Sequence, residues 1–198
     1  MFKTLMTAAA IAIAAPALAN AVVGSPAPAF TATDSNGKTH NLADFRGKTV
    51  VLEWTNADCP FVKKHYSGGD MQRLQGEARK DGVVWLTINS GAPGKQGHVD
   101  GGAANALKKA QGFNSTAYLL DPAGTIGKAY GARTTPHMFV IDGKGTLVYA
   151  GGIDDTPTAD PADIKGAKNF VRAALNDLEA GKPVQVASSK PYGCSVKY

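Results

Sequence analysis

Thr49–Trp54 is the stretch that most restricts what this chain can become. Thr-Val-Val-Leu-Glu-Trp is β-branched, apolar or aromatic almost throughout and shows no inside–outside alternation. Such a run suits a strand covered on both faces, which in turn demands neighbouring strands and helices packed above and below. A short polar loop, Thr55-Asn56-Ala57-Asp58, follows it. Cys59 then stands in front of Pro60, a residue tolerated in the first turn of a helix because no internal hydrogen bond is lost there.

Glycine and proline divide the remainder into short elements. Ala29–Thr33 and Thr39–Leu42 flank Asp34-Ser35-Asn36-Gly37-Lys38 and predict a hairpin. A helix is expected from Cys59 or Pro60, and a second over Met71–Lys80 after Gly68-Gly69. Val83–Asn89 is a buried strand and Ala103–Gln111 a helix. Ala117–Leu120 and Met138–Asp142 are short strands separated by a helical turn at Ile126–Tyr130. Asp142-Gly143-Lys144-Gly145 turns into Thr146–Ala150, and Lys165–Ala180 closes the chain as a helix ended by Gly181. This alternation predicts an α/β fold with a central mixed sheet flanked by helices, an N-terminal hairpin and an extended C-terminal tail.

The two ends differ from the middle. Lys3, the small apolar run Leu5–Ala15 and the small-x-small sites Ala17-Leu18-Ala19 and Ala19-Asn20-Ala21 read as a secretory signal peptide over residues 1–21, too short to span a bilayer. One domain is expected over 22–181, with no membrane segment after cleavage and a periplasmic or secreted location. The formal charge of +5 falls to +4 without Lys3. Basic residues are interleaved with acidic ones, which fits a solvated surface rather than a nucleic-acid footprint. Residues 182–198 form the tail; extended, it would reach roughly 50 Å, far enough to run back across the domain. Its end, Pro191-Tyr192-Gly193-Cys194-Ser195-Val196-Lys197-Tyr198, is rich in residues poorly suited to solvent.

The chain has two cysteines, Cys59 and Cys194. In an exported protein an even count invites pairing, and composition leaves open whether the pair is structural or redox-active. At a helix N-terminus the Cys59 thiolate is favoured by free amide groups and the helix dipole, with Lys63 and Lys64 assisting and Asp58 opposing. Glu53, near the end of the apolar strand, is either a buried proton relay or a strand-end acid that reaches water or a lysine. Thr135-Pro136 opens the strand Met138–Asp142, where proline belongs only at a strand start or bulge. Arg133 supplies either a positive charge to the site or a solvated loop residue. Trp54, Phe61, Tyr66 and Phe139 read as core or rim. His40 and His98 read as surface loop residues. Gly91–Gly102 reads as a flexible loop without the form of a phosphate-binding motif.

Three features together resemble the thioredoxin superfamily in its peroxiredoxin-like (AhpC/TSA, redoxin) branch. They are the run from Asn41 through Phe45-Arg46-Gly47-Lys48 to Leu52, the strand–loop–Cys59 junction, and Thr135-Pro136 before its strand. The resemblance covers about residues 24–180. It implies a cis Thr135–Pro136 bond lying against the Cys59 sulfur, and it places Glu53 where thioredoxins keep a buried acid. The chain also departs from those patterns. Cys59-Pro60-Phe61-Val62 lacks the second thiol of C-x-x-C. Asn56, not Thr or Ser, stands three residues before Cys59, and Thr55 is one place early for a peroxiredoxin motif.

The residues and the resemblance together lead to the expectation of an exported thiol oxidoreductase with Cys59 as nucleophile and Cys194 as resolving thiol, its surroundings shaped by Thr135 and Pro136, with Glu53 as a candidate proton relay. A hydroperoxide is the first expected substrate, in an antioxidant role, and a protein disulfide the alternative; a thiol reductant completes either cycle. No organic cofactor or metal is expected. Two non-enzymatic alternatives are a Cu(I) carrier using Cys59, His137 and His65, and a scaffold with a structural cystine.

Overall fold

The computed structural model describes residues 21–198, so the predicted signal peptide lies almost wholly outside the described residues. Strand β1 (Thr31–Asp34) and β2 (Thr39–Asn41) form the N-terminal hairpin. Asp34 Oδ1 closes its turn by accepting from the amides of Asn36 at 2.8 Å and Lys38 at 3.0 Å. On β2, His40 is buried and its Nε2 lies 2.9 Å from Asp34 Oδ2. The surface-loop expectation for His40 is thus corrected: a neighbouring carboxylate makes an inward imidazole acceptable. Burial works to raise the Asp34 pKa, but the hydrogen bonds from His40 and the two amides leave it lowered.

Next in order come β3 (Val50–Trp54), α1 (Pro60–Ser67), α2 (Asp70–Lys80), β4 (Val84–Asn89), α3 (Gly101–Gln111), β5 (Ala117–Leu120), α4 (Thr125–Tyr130), β6 (Thr134–Thr135), β7 (His137–Ile141), β8 (Leu147–Gly151), α5 (Phe170–Glu179) and β9 (Cys194–Ser195). Short 3-10 turns cover Leu42–Phe45 and Pro161–Gly166. Gly69, at φ +79°, separates α1 from α2, a conformation open to glycine without steric penalty. The predicted Lys165–Ala180 helix starts late because the Asn169 side chain accepts from the Arg172 amide and caps α5 there.

Seven strands make one sheet in the order β2-β1-β5-β4-β3-β7-β8. β3 runs parallel to β4 and antiparallel to β7, so every residue of Val50–Trp54 is buried, as its composition requires. Side-chain direction alternates along it. Val50, Leu52 and Trp54 enter one layer with Leu86, Ile88, Phe139 and the α4 residues Ile126 and Tyr130. Val51 enters the opposite layer with Trp85, Met138 and side chains of α1, α2 and α5. Among the described residues no helix is long and apolar enough to cross a membrane.

The tail is bound to the body. Ser188 bridges Ala150, and β9 pairs antiparallel with β6, placing Cys194 opposite Thr135 and Ser195 opposite Thr134. Val196 packs on one core layer while Tyr192 and Cys194 pack on the other. No strand was predicted at either place, since two-residue strands carry no sequence periodicity.

Candidate active site

The loop after β3 folds into a turn in which the Cys59 amide donates to the Asn56 carbonyl at 3.0 Å and the Asp58 amide donates to Asn56 Oδ1 at 2.9 Å. Cys59 is the N-cap of α1, and its carbonyl accepts from the amides of Val62 at 3.0 Å and Lys63 at 2.9 Å. The sulfur therefore stands at the positive end of the α1 dipole. Lys63 and Asp58 are exposed, whereas Lys64 is buried.

The Thr135–Pro136 bond is cis, as the resemblance implies. Thr135 is buried, and its carbonyl oxygen lies 3.1 Å from Cys59 Sγ. Cys59 and Cys194 are joined as a disulfide, with Cα atoms 5.9 Å apart across 135 positions of sequence. The Thr135 hydroxyl donates to the Cys194 carbonyl at 3.4 Å. Cys59 is 0% exposed, and the tail that carries its partner helps to cover it; Cys194 is half-buried.

Cross-linking residues this far apart removes much freedom from the unfolded chain. Reduction is therefore expected to lower unfolding free energy by up to about 5 kcal/mol. Urea midpoints of the oxidised and reduced protein measure this, and equal midpoints would contradict it.

Glu53 is 1% exposed and meets neither water nor lysine. Its Oε1 accepts from the Tyr66 hydroxyl at 2.7 Å, and its Oε2 from Gln75 Nε2 at 2.9 Å, Trp85 Nε1 at 2.8 Å and Thr87 Oγ1 at 3.2 Å. Burial raises its pKa against the lowering effect of these four bonds. All four donors come from side chains, none from the Cys59 sulfur. Burial also holds His137 at about 4, with the nearby Arg133 charge in the same direction; its Nδ1 accepts from the Arg133 amide at 3.2 Å. Arg133 itself is an exposed residue whose carbonyl accepts from the Val196 amide at 3.0 Å.

Two parts of the site escaped the sequence reading. The first is the glycine-rich loop. It is pinned rather than loose: Asn89 Nδ2 donates to the Gly97 carbonyl at 2.9 Å, Gly97 sits against the Asn56 side chain, and the Ala92 amide donates to the Lys197 carbonyl at 2.7 Å. The second is a buried polar cluster beneath Tyr192. Lys64 Nζ donates to the Thr156 carbonyl at 2.6 Å and lies 3.6 Å from Asp154 Oδ2. The Tyr192 hydroxyl donates to Asp154 Oδ1 at 2.5 Å and lies 3.1 Å from His65 Nε2. Burial lowers the His65 pKa to about 4, with Asp154 opposing and Lys64 assisting. In this cluster His65 faces Tyr192 and Asp154, and among the described residues no group of three or more His, Cys, Asp or Glu side chains is placed to hold a metal ion.

A central mixed sheet, a cysteine capping the helix after β3 and a cis-proline loop against its sulfur define a thioredoxin-like protein of the redoxin branch. The chain belongs to the AhpC/TSA family, whose sequence profile matches residues 23–150. It is 32% identical over 126 residues to the thiol-disulfide oxidoreductase ResA of Geobacillus thermodenitrificans, covering 63% of this chain and 66% of that one. Against ResA of Bacillus subtilis it is 29% identical over 125 residues, covering 63% and 64%. The chain thus spans just under two thirds of these relatives' length. Among solved structures, a hypothetical protein from Sinorhizobium meliloti superposes with a TM-score of 0.76 at 27% identity, over 89% of this chain and 94% of that one. An uncharacterized conserved protein from Geobacillus kaustophilus gives 0.75 at 28% identity, over 89% and 92%.

Proposed function

We propose that this protein is an exported thiol–disulfide oxidoreductase in which Cys59 is the nucleophile and Cys194 the resolving thiol. The observation that carries this reading is the bond between a helix-capping cysteine and a tail cysteine, lying against the Thr135–Pro136 loop. In the reduced protein the Cys59 thiolate attacks one sulfur of a partner disulfide. A Cys59–partner bond forms, the partner's S–S bond breaks, and its other sulfur leaves as a thiolate. The Cys194 thiolate then attacks the Cys59 sulfur, closing the internal disulfide and releasing the second partner thiolate. Two electrons pass to the partner, whose thiolates take up the protons. A thiol reductant resets the pair. Thr135 and Pro136 position the sulfur, and Glu53 braces the sheet behind it.

Hydroperoxide reduction is the second reading, and the family supports it in general terms. Asn56 holds the position three before Cys59, and its Oδ1 is already committed to the Asp58 amide, while Nδ2 reaches Gln96 at 3.3 Å. That arrangement favours exchange over peroxide activation. The export reading rests on the residue 1–21 pattern, and the ResA name of two relatives favours disulfide exchange.

The test measures oxidation of the reduced protein by a peptide disulfide and by hydrogen peroxide, each relative to free cysteine. The acceleration for the disulfide is expected to exceed that for peroxide by about tenfold or more. The reverse ranking would move the protein to the peroxidase reading.

A further inference from the structure

The tail lies in a groove whose features select particular residues around Cys194, and those features belong to the body rather than to the tail. Pairing with Thr134 and Thr135 is through backbone and is indifferent to sequence. The flanking contacts are not. One residue before the cysteine, Gly193 adopts φ +125°, and a Cβ built there would fall 2.1 Å from the Thr135 carbonyl oxygen. That oxygen belongs to the backbone beside the cis-proline, so a side chain at this place cannot be accommodated by a rotamer change.

Two residues before the cysteine, the Tyr192 ring meets Phe61 edge-on at 5.9 Å between centroids, and Lys64 Nζ stands 5.5 Å from its centroid. Its hydroxyl enters the buried cluster of Asp154, His65 and Lys64 described above, whose three members are each 4% exposed or less. Buried charged groups are costly unless each finds a partner, and Asp154 finds one of its partners in the tail. Phe61, Lys64 and His65 all lie on α1, the helix that Cys59 caps. Three of the side chains that receive the phenol and the sulfur that does the exchange are thereby held on one helix, while the phenol's acceptor, Asp154, follows β8.

Once the Cys59–Cys194 bond is reduced, the tail is held by non-covalent contacts alone. These are the two-pair ladder and the Tyr192 contacts around the cysteine, the Ser188 bridge to Ala150 before it, and the hydrogen bonds of Val196, Lys197 and Tyr198 after it. So short a ladder is weak by itself, and a competing strand can replace the contacts around the cysteine. The groove then becomes open to competition. Building on the exchange function proposed above, we infer that the groove is a recognition site for an extended partner segment carrying tyrosine, glycine and then the reacting cysteine. The phenol subsite formed by Asp154, His65, Lys64 and Phe61 sets the preference at the first position, and the Thr135 carbonyl sets it at the second. The tail is a tethered copy of the segment this site accepts. Reaction begins when the partner strand displaces the tail and lays its disulfide against Cys59. The Cys59 thiolate bonds to the partner cysteine and the partner's other sulfur leaves as a thiolate. The tail's return brings Cys194 back to resolve the intermediate.

The test uses the full chain with Cys194→Ser, so that mixed disulfides on Cys59 persist. Three peptides, Pro-Tyr-Gly-Cys-Ser-Val, Pro-Phe-Gly-Cys-Ser-Val and Pro-Tyr-Ala-Cys-Ser-Val, are each supplied as the mixed disulfide with cysteamine. The rate of peptide attachment to Cys59 is followed by mass spectrometry, with cystamine as a small control. The tethered tail competes equally with all three peptides, so the ratios survive its presence. The Tyr-Gly-Cys peptide is expected to react about tenfold faster than the Phe-Gly-Cys peptide, the size of one hydrogen bond to a charged acceptor, and at least about tenfold faster than the Tyr-Ala-Cys peptide. Because the phenol is removed from the peptide and not from the protein, folding does not enter the comparison. Equal rates for the three peptides alongside normal reaction with cystamine would overturn the recognition site and leave the exchange function standing. Failure to react with cystamine would remove the exchange function itself. A wild-type protein that forms a covalent dimer between Cys59 of one copy and Cys194 of another would assign the groove to a second copy and also overturn the inference.

Discussion

Cys59→Ser is expected to abolish disulfide exchange, lowering the rate by about a thousandfold or more, because serine at this place provides no thiolate to attack sulfur. Cys194→Ser is expected to behave differently. Its first step survives, since the α1 N-terminus and the Thr135–Pro136 loop are untouched. The second step fails, so the protein accumulates a mixed disulfide on Cys59. The two variants share the same loss of the cross-link between positions 59 and 194 and should therefore show the same fall in stability. That equality separates chemistry from folding: equal melts with unequal reactivity identify the nucleophile. Mass spectrometry after one equivalent of a peptide disulfide reads the outcome directly. Adducts on Cys194 in the Cys59→Ser protein, formed as fast as those on Cys59 in the other, would reverse the assignment. A disulfide that stays closed in the wild type under a thiol reductant able to reset a redox pair would return it to the structural-cystine reading.

The strands and helices that place this pair were legible for a physical reason. Thr49–Trp54 has no polar alternation, and only a central position satisfies such a run; the structure puts it between β4 and β7. The hairpin around Asp34–Lys38 was legible because aspartate and glycine shape a short turn locally. Helix α5 was read too long because the cap at Asn169, not the preceding lysines, decides its start. What remained hidden depends on contacts between distant residues. Nothing near His40 announces that Asp34 will meet its ring, and nothing near Lys64 announces Asp154 or Tyr192. As sequence alone, the glycines of 91–102 imply looseness. In the fold, Gly97 instead permits close approach to Asn56, where a Cβ would stand 2.2 Å from the side-chain oxygen. The sequence thus located the two sulfurs and the proline between them, but not the polar cluster under the tail.

Glu53→Ala is expected to destabilise the fold by about 3–5 kcal/mol, a large share of the roughly 5–15 kcal/mol that holds a domain together. The substitution deletes the acceptor for four buried donors and leaves a cavity among them. Those donors come from α1 (Tyr66), α2 (Gln75) and β4 (Trp85 and Thr87), so the carboxyl ties the helix carrying the nucleophile to the sheet behind it. Glu53→Gln keeps the volume and one acceptor oxygen and should cost much less. The pH dependence supplies an independent check. Burial raises the folded pKa of Glu53 above its ordinary 4.5. A raised pKa contributes stability that is complete below the unfolded value and is lost as pH climbs through the folded one. Wild type should therefore lose ground to Glu53→Gln as pH rises from 4.5, while Glu53→Ala stays the least stable of the three. Urea unfolding at pH 4.5 and pH 8 measures both effects, and a Glu53→Ala protein within 1 kcal/mol of wild type would refute the bracing role. Exchange kinetics on the intact Glu53→Gln protein separate bracing from proton relay. Since none of the four bonds reaches sulfur, we expect the rate to stay within about tenfold of wild type, below the roughly hundredfold or greater contribution usual for a general acid or base.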